Sequence, residues 1–214
     1  MRIKLSFNIG QTTLLLKAQS FGRFDIRTGG IDSRIPETAL HIPLLDYDNI
    51  VAEFGKDPET RLREELQYLQ AAWEIGNSYV FWTRDNGRHA LFLDAFTFRM
   101  VKDIVDSSSC DLMFKKAPQI NEYRCWVLRC EKKGERDAPK FLYTVESPFE
   151  GKNLQSLSHA GYLWNYYRLK VNLKNPVGPP YFRIQRYNTS EKHIEEEKVE
   201  VIKNGKNEKD NIML

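Results

Sequence analysis

The sequence predicts an α+β fold of mixed α/β character: a mixed, largely antiparallel central sheet with flanking helices. Three observations carry this expectation. Short runs rich in β-forming residues are joined by tight turns, most clearly at residues 78 to 84 and 88 to 93 around Asp85-Asn86-Gly87. Between such runs stand segments whose apolar residues recur at helical spacing, as Leu62, Leu66, Leu69 and Trp73 do. A chain of 214 residues is also long enough to bury one sizeable core.

The elements follow in order. Residues 1 to 30 alternate apolar and polar residues around Gly10, Gly22 and Gly29-Gly30, which predicts short antiparallel strands joined by turns. Residues 41 to 48, His-Ile-Pro-Leu-Leu-Asp-Tyr-Asp, contain an apolar run that fits a strand buried on both faces. A helix follows, with Asp57 as its cap, Pro58 in its first turn and Gly76 as its end. After the hairpin at 78 to 93, a helix is expected from about residue 96 to 105, capped by Asp94, with Phe98, Val101, Ile104 and Val105 on its apolar side. Cys110-Asp111-Leu112-Met113-Phe114 is expected as a strand, as are residues 123 to 130 and 140 to 146. The charged loop 131 to 137 separates the last two. A helix near residues 153 to 169 carries Tyr162, Trp164, Tyr166 and Tyr167, and the proline-rich stretch 176 to 180 ends it. Residues 1 to 187 are expected to form a single α/β domain, and residues 188 to 214 a polar extension, frayed or disordered.

Bulk composition excludes several classes. A formal charge of +3 gives no global basic field that would by itself demand a nucleic-acid partner. Cys110, Cys125 and Cys130 make no C-x-x-C pair, which speaks against a zinc site and for a reducing compartment. The first residues lack the continuous apolar core of a signal peptide, and no run reaches membrane-spanning length. The expected protein is soluble, intracellular and cytoplasmic, with no membrane partner.

Asp46 and Asp48 carry the most information. In a strand they project from one face, roughly 7 Å apart along the backbone, and can share a divalent cation. Alternatively the strand simply ends there, and Asp48-Asn49 begins a solvated turn. Strand ends of such an array can meet on one side of the sheet, which brings Asp111 and His89 into the same candidate set. Three carboxylates with an imidazole suit phosphoryl or nucleotidyl transfer: the acids hold Mg²⁺ or Mn²⁺, and the histidine binds a phosphate oxygen. The plain alternatives are a packed hairpin histidine for His89 and a turn or cap for Asp111. Lys132, Lys133, Arg129 and Arg136 can contact phosphates, although Glu131, Glu135 and Asp137 interrupt the patch and favour a solvated loop. The aromatics of residues 162 to 168 can stack on bases, but their helical spacing favours the core.

In order and spacing these motifs resemble the catalytic core of archaeo-eukaryotic primases and primase-polymerases, over about residues 40 to 145. The acid-x-acid motif is similar to Leu45-Asp46-Tyr47-Asp48, the small-x-His motif to Gly87-Arg88-His89 and the hydrophobic-Asp motif to Cys110-Asp111. The chain departs from the family in having Asp85-Asn86 before the histidine motif and no Pro-Gly-Ser-x-His-like segment. The resemblance implies that Asp46, Asp48 and Asp111 bind the metals, that His89 contacts the incoming nucleotide, and that Arg88, Arg124 and Arg129 are candidates for its phosphates. Arg124 and Arg129, five residues apart, face opposite sides of a regular strand, so at most one reaches the site.

The expected function is thus a metal-dependent nucleotidyltransferase of the primase-polymerase type that synthesises or extends strands in DNA replication. Its expected partners are a nucleic-acid template, nucleoside triphosphates and a replication protein. The alternatives are a catalytically inactive relative that binds nucleic acid or a replication partner, and a metal-dependent nuclease. The absence of any His-x-His argues against a histidine-pair endonuclease.

Overall fold

Two four-stranded antiparallel sheets, rather than one, organise the chain. The computed structural model describes residues 2–9, 12–19, 27–120, 124–188 and 193–201. A hairpin of β1 (Arg2–Ile9) and β2 (Thr12–Gln19) leads to β3 (Arg27–Asp32) and the two-residue β4 (Leu40–His41). Next come β5 (Leu44–Tyr47), α1 (Ile50–Phe54), α2 (Pro58–Trp73), the hairpin of β6 (Ser78–Arg84) and β7 (Gly87–Phe92), and the short β8 (Phe96–Thr97). The chain continues through α3 (Phe98–Ser107), α4 (Leu112–Ile120), β9 (Val127–Arg129), β10 (Lys140–Val145) and β11 (Gln155–Ser156). It closes with α5 (Leu157–Tyr167), β12 (Pro176–Val177), β13 (Tyr181–Asn188) and β14 (His193–Glu200). One large sheet runs β10-β6-β7-β5 and the other β14-β13-β3-β9; the only parallel pairing among the described residues is the small β11-β12. The fold is α+β, as the sequence predicts, and β14 falls inside the expected polar extension.

Helix α2 covers one face of the first sheet. Leu62, Leu66 and Leu69 recur on its inner side and are fully buried, each contributing roughly 1.5–3 kcal/mol by leaving water. Glu59, in its first turn, takes hydrogen bonds from Arg88 of β7 and, at 2.9 Å, from the hydroxyl of Tyr143 of β10. On the opposite face Phe81 meets Tyr167, the last residue of α5, at 4.6 Å between ring centroids. Tyr162 is buried in that helix and packs on Phe182 of the second sheet, whereas Trp164 and Tyr167 are half-buried and Tyr166 is exposed, so only part of the aromatic stripe is core.

Several expectations are corrected. Residues 112–120 form helix α4, not a strand: Leu, Met, Lys, Ala and Gln are good helix formers, and the backbone N–H groups of Met113 and Phe114 donate to Asp111 Oδ1 at 2.8 and 2.9 Å. The short apolar run that suggests a strand is one turn of an amphipathic helix that buries Phe114 and Pro118. Helix α3 is capped by Thr97, whose hydroxyl accepts from Met100. Asp94 instead accepts from the Gly76 N–H and from Asn153, tying the end of α2 to a distant loop. Helix α2 ends at Glu74 in a left-handed conformation, φ 53°, two residues before Gly76, and Asp57 makes no side-chain capping bond. The strand expected over residues 123 to 130 is only three residues long, and part of that range lies outside the described residues.

In β3, Gly30 lies opposite Arg129 of β9. A Cβ at Gly30 would sit 2.5 Å from a methyl of Val127 and 3.0 Å from the Leu128 carbonyl oxygen. Only glycine lets β9 approach this closely.

Candidate functional site

Asp46 of β5 pairs directly with His89 of β7, and directly opposed residues share a face of the sheet. Asp46 Oδ1 lies 3.4 Å from His89 Nε2, long for a hydrogen bond but close enough to share one small ligand. Both line a cavity of about 290 Å³ between the edge of the first sheet and β9. Asp48 opens onto the same cavity from the turn that follows β5, where the strand ends at Tyr47 and Asn49 caps α1. Thr83 and Arg84, at the bulged end of β6, complete one wall.

The other wall is basic. Arg129 reaches in from β9, while Lys133 and Arg136 come from the loop that follows. That loop is ordered by a two-way backbone pairing of Lys133 with Arg136. Arg129 donates to the carbonyls of Glu131 and Asp137 within the loop and to Thr83 in the first sheet. It therefore fastens the loop across the cavity mouth. Lys133 and Arg136 are exposed, as a solvated loop implies, and both border the cavity. Arg84, which nothing in the sequence marks as a site residue, is the fourth cation.

The electrostatics divide the acids from the histidine. Burial, then the charges of Asp48 and Asp111, push the Asp46 carboxyl up to about 7. Burial, then the Arg129 guanidinium, pushes His89 down to about 3, so its ring is neutral at physiological pH. A neutral imidazole donates from one nitrogen and accepts at the other. Asp48 is ion-paired with Arg84 at 2.6 Å, but both side chains are well exposed. Such a pair is worth less than about 1 kcal/mol, and Asp48 can leave it readily.

Asp111 sits close by without lining the cavity. Its backbone N–H donates to the Asp46 carbonyl at 2.8 Å, which fixes the start of α4 to the end of β5. Its Oδ1 is committed to the helix cap, whereas Oδ2 takes no hydrogen bond among the described residues. The other candidates separate. Arg88 lies on the opposite face of β7 from His89, held by Glu59 and by backbone carbonyls of the turn. Arg124 lines a different cavity. Of the two arginines, Arg129 in β9 alone faces the site, while Arg124 lies before the strand in a left-handed conformation, φ 49°.

Among the described residues no group of three or more His, Cys, Asp or Glu side chains comes together as a ready metal cage. Mg²⁺, however, commonly takes one or two protein carboxylates, with water and substrate phosphates for the rest. Asp46 and Asp48 on one cavity fit that pattern. His41 and His159 are structural. His41 Nδ1 lies 3.1 Å from the Ser33 hydroxyl, and His159 bridges the Ser156 hydroxyl and the Asp32 carbonyl.

Comparison with known protein families, with curated proteins and with solved structures finds no match. No helix among the described residues is long and apolar enough to cross a membrane.

Proposed function

We propose that this chain is a metal-dependent nucleotidyltransferase of the primase-polymerase kind, extending nucleic-acid strands from nucleoside triphosphates. The observation that carries the reading is one cavity in which Asp46, Asp48 and neutral His89 face four cations, Arg84, Arg129, Lys133 and Arg136. Cations without carboxylates would suit any anion, and carboxylates without cations would suit a metal ion or an organic cation. Both together suit an anion that arrives with its own metal, as a triphosphate does.

In this reading Asp46 and Asp48 would hold Mg²⁺ or Mn²⁺, and Asp111, which does not line the cavity, would join them only if its side chain turned Oδ2 toward the cation. Bound there, the cation would supply Lewis-acid activation of the attacking 3′-hydroxyl and charge neutralisation at the leaving pyrophosphate. Arg129, Lys133 and Arg136 bind the triphosphate oxygens, Arg129 from a fixed position because its loop carbonyls hold it. His89 donates a hydrogen bond to a phosphate oxygen without adding charge, since its ring stays neutral.

The test is extension of a primed template with labelled nucleotides in Mg²⁺ or Mn²⁺, beside Asp46→Ala. Incorporation that disappears in the variant is the expected result; no incorporation with either cation refutes the reading. A second reading, a silent relative that binds nucleic acid through the same surface, draws on the commitment of Asp111 Oδ1 to the α4 cap. Strand binding without incorporation would favour it, and metal-dependent cleavage of the strand would favour a nuclease.

A further inference from the structure

Trp126 and Val127 are adjacent in the chain yet open onto different cavities. Val127 lines the one that contains Asp46 and His89, and Trp126 a second, of about 310 Å³, bordered by α3, α4 and the segment entering β9. The second cavity carries three cations, Lys102, Lys115 and Arg124, and no acid among its lining residues. Lys115 is pinned by the carbonyls of Asp106 and Ser108 at the end of α3, Lys102 pairs with the Asp106 carboxylate, and Arg124 is exposed. Phe98 stacks on Trp126, with ring centroids 5.3 Å apart and 24° between the planes.

One group in this cavity is unexplained by the fold. Trp126 is fully buried, and its indole Nε1–H finds no acceptor among the described residues. A buried donor left unpaired destabilises a protein, and nearly all find a partner. An incoming ligand with an acceptor would satisfy this one, and the cations beside it select a ligand that also carries negative charge.

We propose that this cavity binds one nucleotide unit of a single-stranded nucleic acid, with its phosphate between Lys102 and Arg124, its base against Phe98 and an acceptor atom of the base at Trp126 Nε1. Only an unstacked base offers a free face to Phe98, and the volume suits one nucleotide rather than a duplex, so a single strand is the fitting partner. With β9 between the two cavities, a strand held here lies beside the triphosphate cavity. This placement rests on the nucleotidyltransferase reading; the binding itself does not.

The test is fluorescence anisotropy of a labelled oligothymidylate on the full chain, as a function of salt. Wild type is expected to bind, and the double variant Lys102→Glu, Arg124→Glu to bind at least about tenfold more weakly, with a salt slope smaller by about two. Trp126→Phe removes the donor and keeps the ring. It should weaken binding by about threefold or more, measured at a temperature where the variant is folded, since the smaller ring leaves a cavity that lowers the melt. Should the charge reversals lower the melt, Lys102→Gln, Arg124→Gln gives the same reading without repulsion. Asp46→Ala, in the other cavity, should bind the strand as wild type does. Equal binding by wild type and the double variant overturns the proposal. So does loss of binding in Asp46→Ala alone, or competition by thymidine monophosphate as effective as that by the unlabelled strand, which would indicate a small-molecule site. Strand binding through these residues without nucleotide incorporation would sink the nucleotidyltransferase reading and leave this one standing. Incorporation with undiminished strand binding by the double variant would do the reverse.

Discussion

Asp46 and His89, opposite each other on β5 and β7, stand 3.4 Å apart with their proton affinities displaced in opposite senses. Burial raises the acid and depresses the base, so neither favours its charged form. His89 is a neutral neighbour to an acid whose charge comes and goes near neutral pH, in an otherwise highly charged cavity.

The acid makes stability fall as pH rises. Asp46 ionises near 4 in the unfolded chain and at about 7 in the fold. Its neutral form therefore supports the fold fully below pH 4, and that support is lost as pH climbs to 7. Asp46→Asn should match wild type at pH 4 and be more stable at pH 8 by about 2 kcal/mol, a figure discounted for the solvent that reaches this side chain. Thermal melts at the two pH values decide it, and an unchanged difference between them would be the contrary result.

A divalent cation should reverse that penalty. Mn²⁺ or Mg²⁺ added at pH 7 should raise the melting temperature of wild type and release protons, because the cation takes the ionised form of Asp46. Chelator should restore the original melt. Asp46→Ala and Asp48→Ala should each show little of the shift. Calorimetry in two buffers of different ionisation enthalpy measures the proton count.

His89 acts in the other direction. Its folded affinity is depressed from 6.5 to about 3, so it contributes stability above pH 6.5 that is lost as pH falls towards 3. His41, pushed down to about 4 by burial, adds to the same loss. His89→Gln should flatten the acid limb of the stability curve between pH 6 and 4, visible by circular dichroism. In the extension assay it should raise the KM for triphosphate more than it lowers kcat.

Asp111 can be divided into its two roles. Asp111→Ala removes the α4 cap and should destabilise by about 1 kcal/mol. Asp111→Ser keeps a capping oxygen and should melt within about 0.5 kcal/mol of wild type. If Oδ2 ligates the cation, both variants should lose extension activity by about 100-fold or more. An active Asp111→Ser enzyme would show that the residue is a cap alone.

Arg88 should prove structural. Glu59→Ala leaves its buried guanidinium without the carboxylate and should destabilise by about 3 kcal/mol. Activity per folded molecule, and the KM for triphosphate, should be unchanged at a temperature where the variant is folded. A large KM effect would place Arg88 in the site after all.

The sequence carries the local pieces of this arrangement better than their assembly. Asp85-Asn86-Gly87 fixes the β6-β7 hairpin, and the one-residue spacing of Asp46 and Asp48 brings both to one cavity, although β5 ends between them at Tyr47. The leucines of α2 announce that helix and the face it covers. Asp111 misleads because a five-residue apolar run fits strand and helix alike, and the capping bonds that decide for helix appear only in three dimensions. Arg84 and Arg136 are ordinary charges in sequence; one enters the site through a bulge in β6 and the other through a loop that Arg129 fastens. The division into two sheets escapes the sequence because pairing partners such as β3 and β9 lie about a hundred residues apart. The cavity at Trp126 escapes it too, since an unpaired indole N–H is a property of surroundings.

Gly30 ties the chemistry of the site to a position with no functional group of its own. Because β9 approaches β3 over a bare Cα, the reach of the Arg129 guanidinium is set by a missing methyl group on the neighbouring strand. Gly30→Ala would wedge β9 outward near Val127, where the two cavities meet. A single carbon atom in an otherwise silent strand would then disturb both pockets at once, without touching a charge in either.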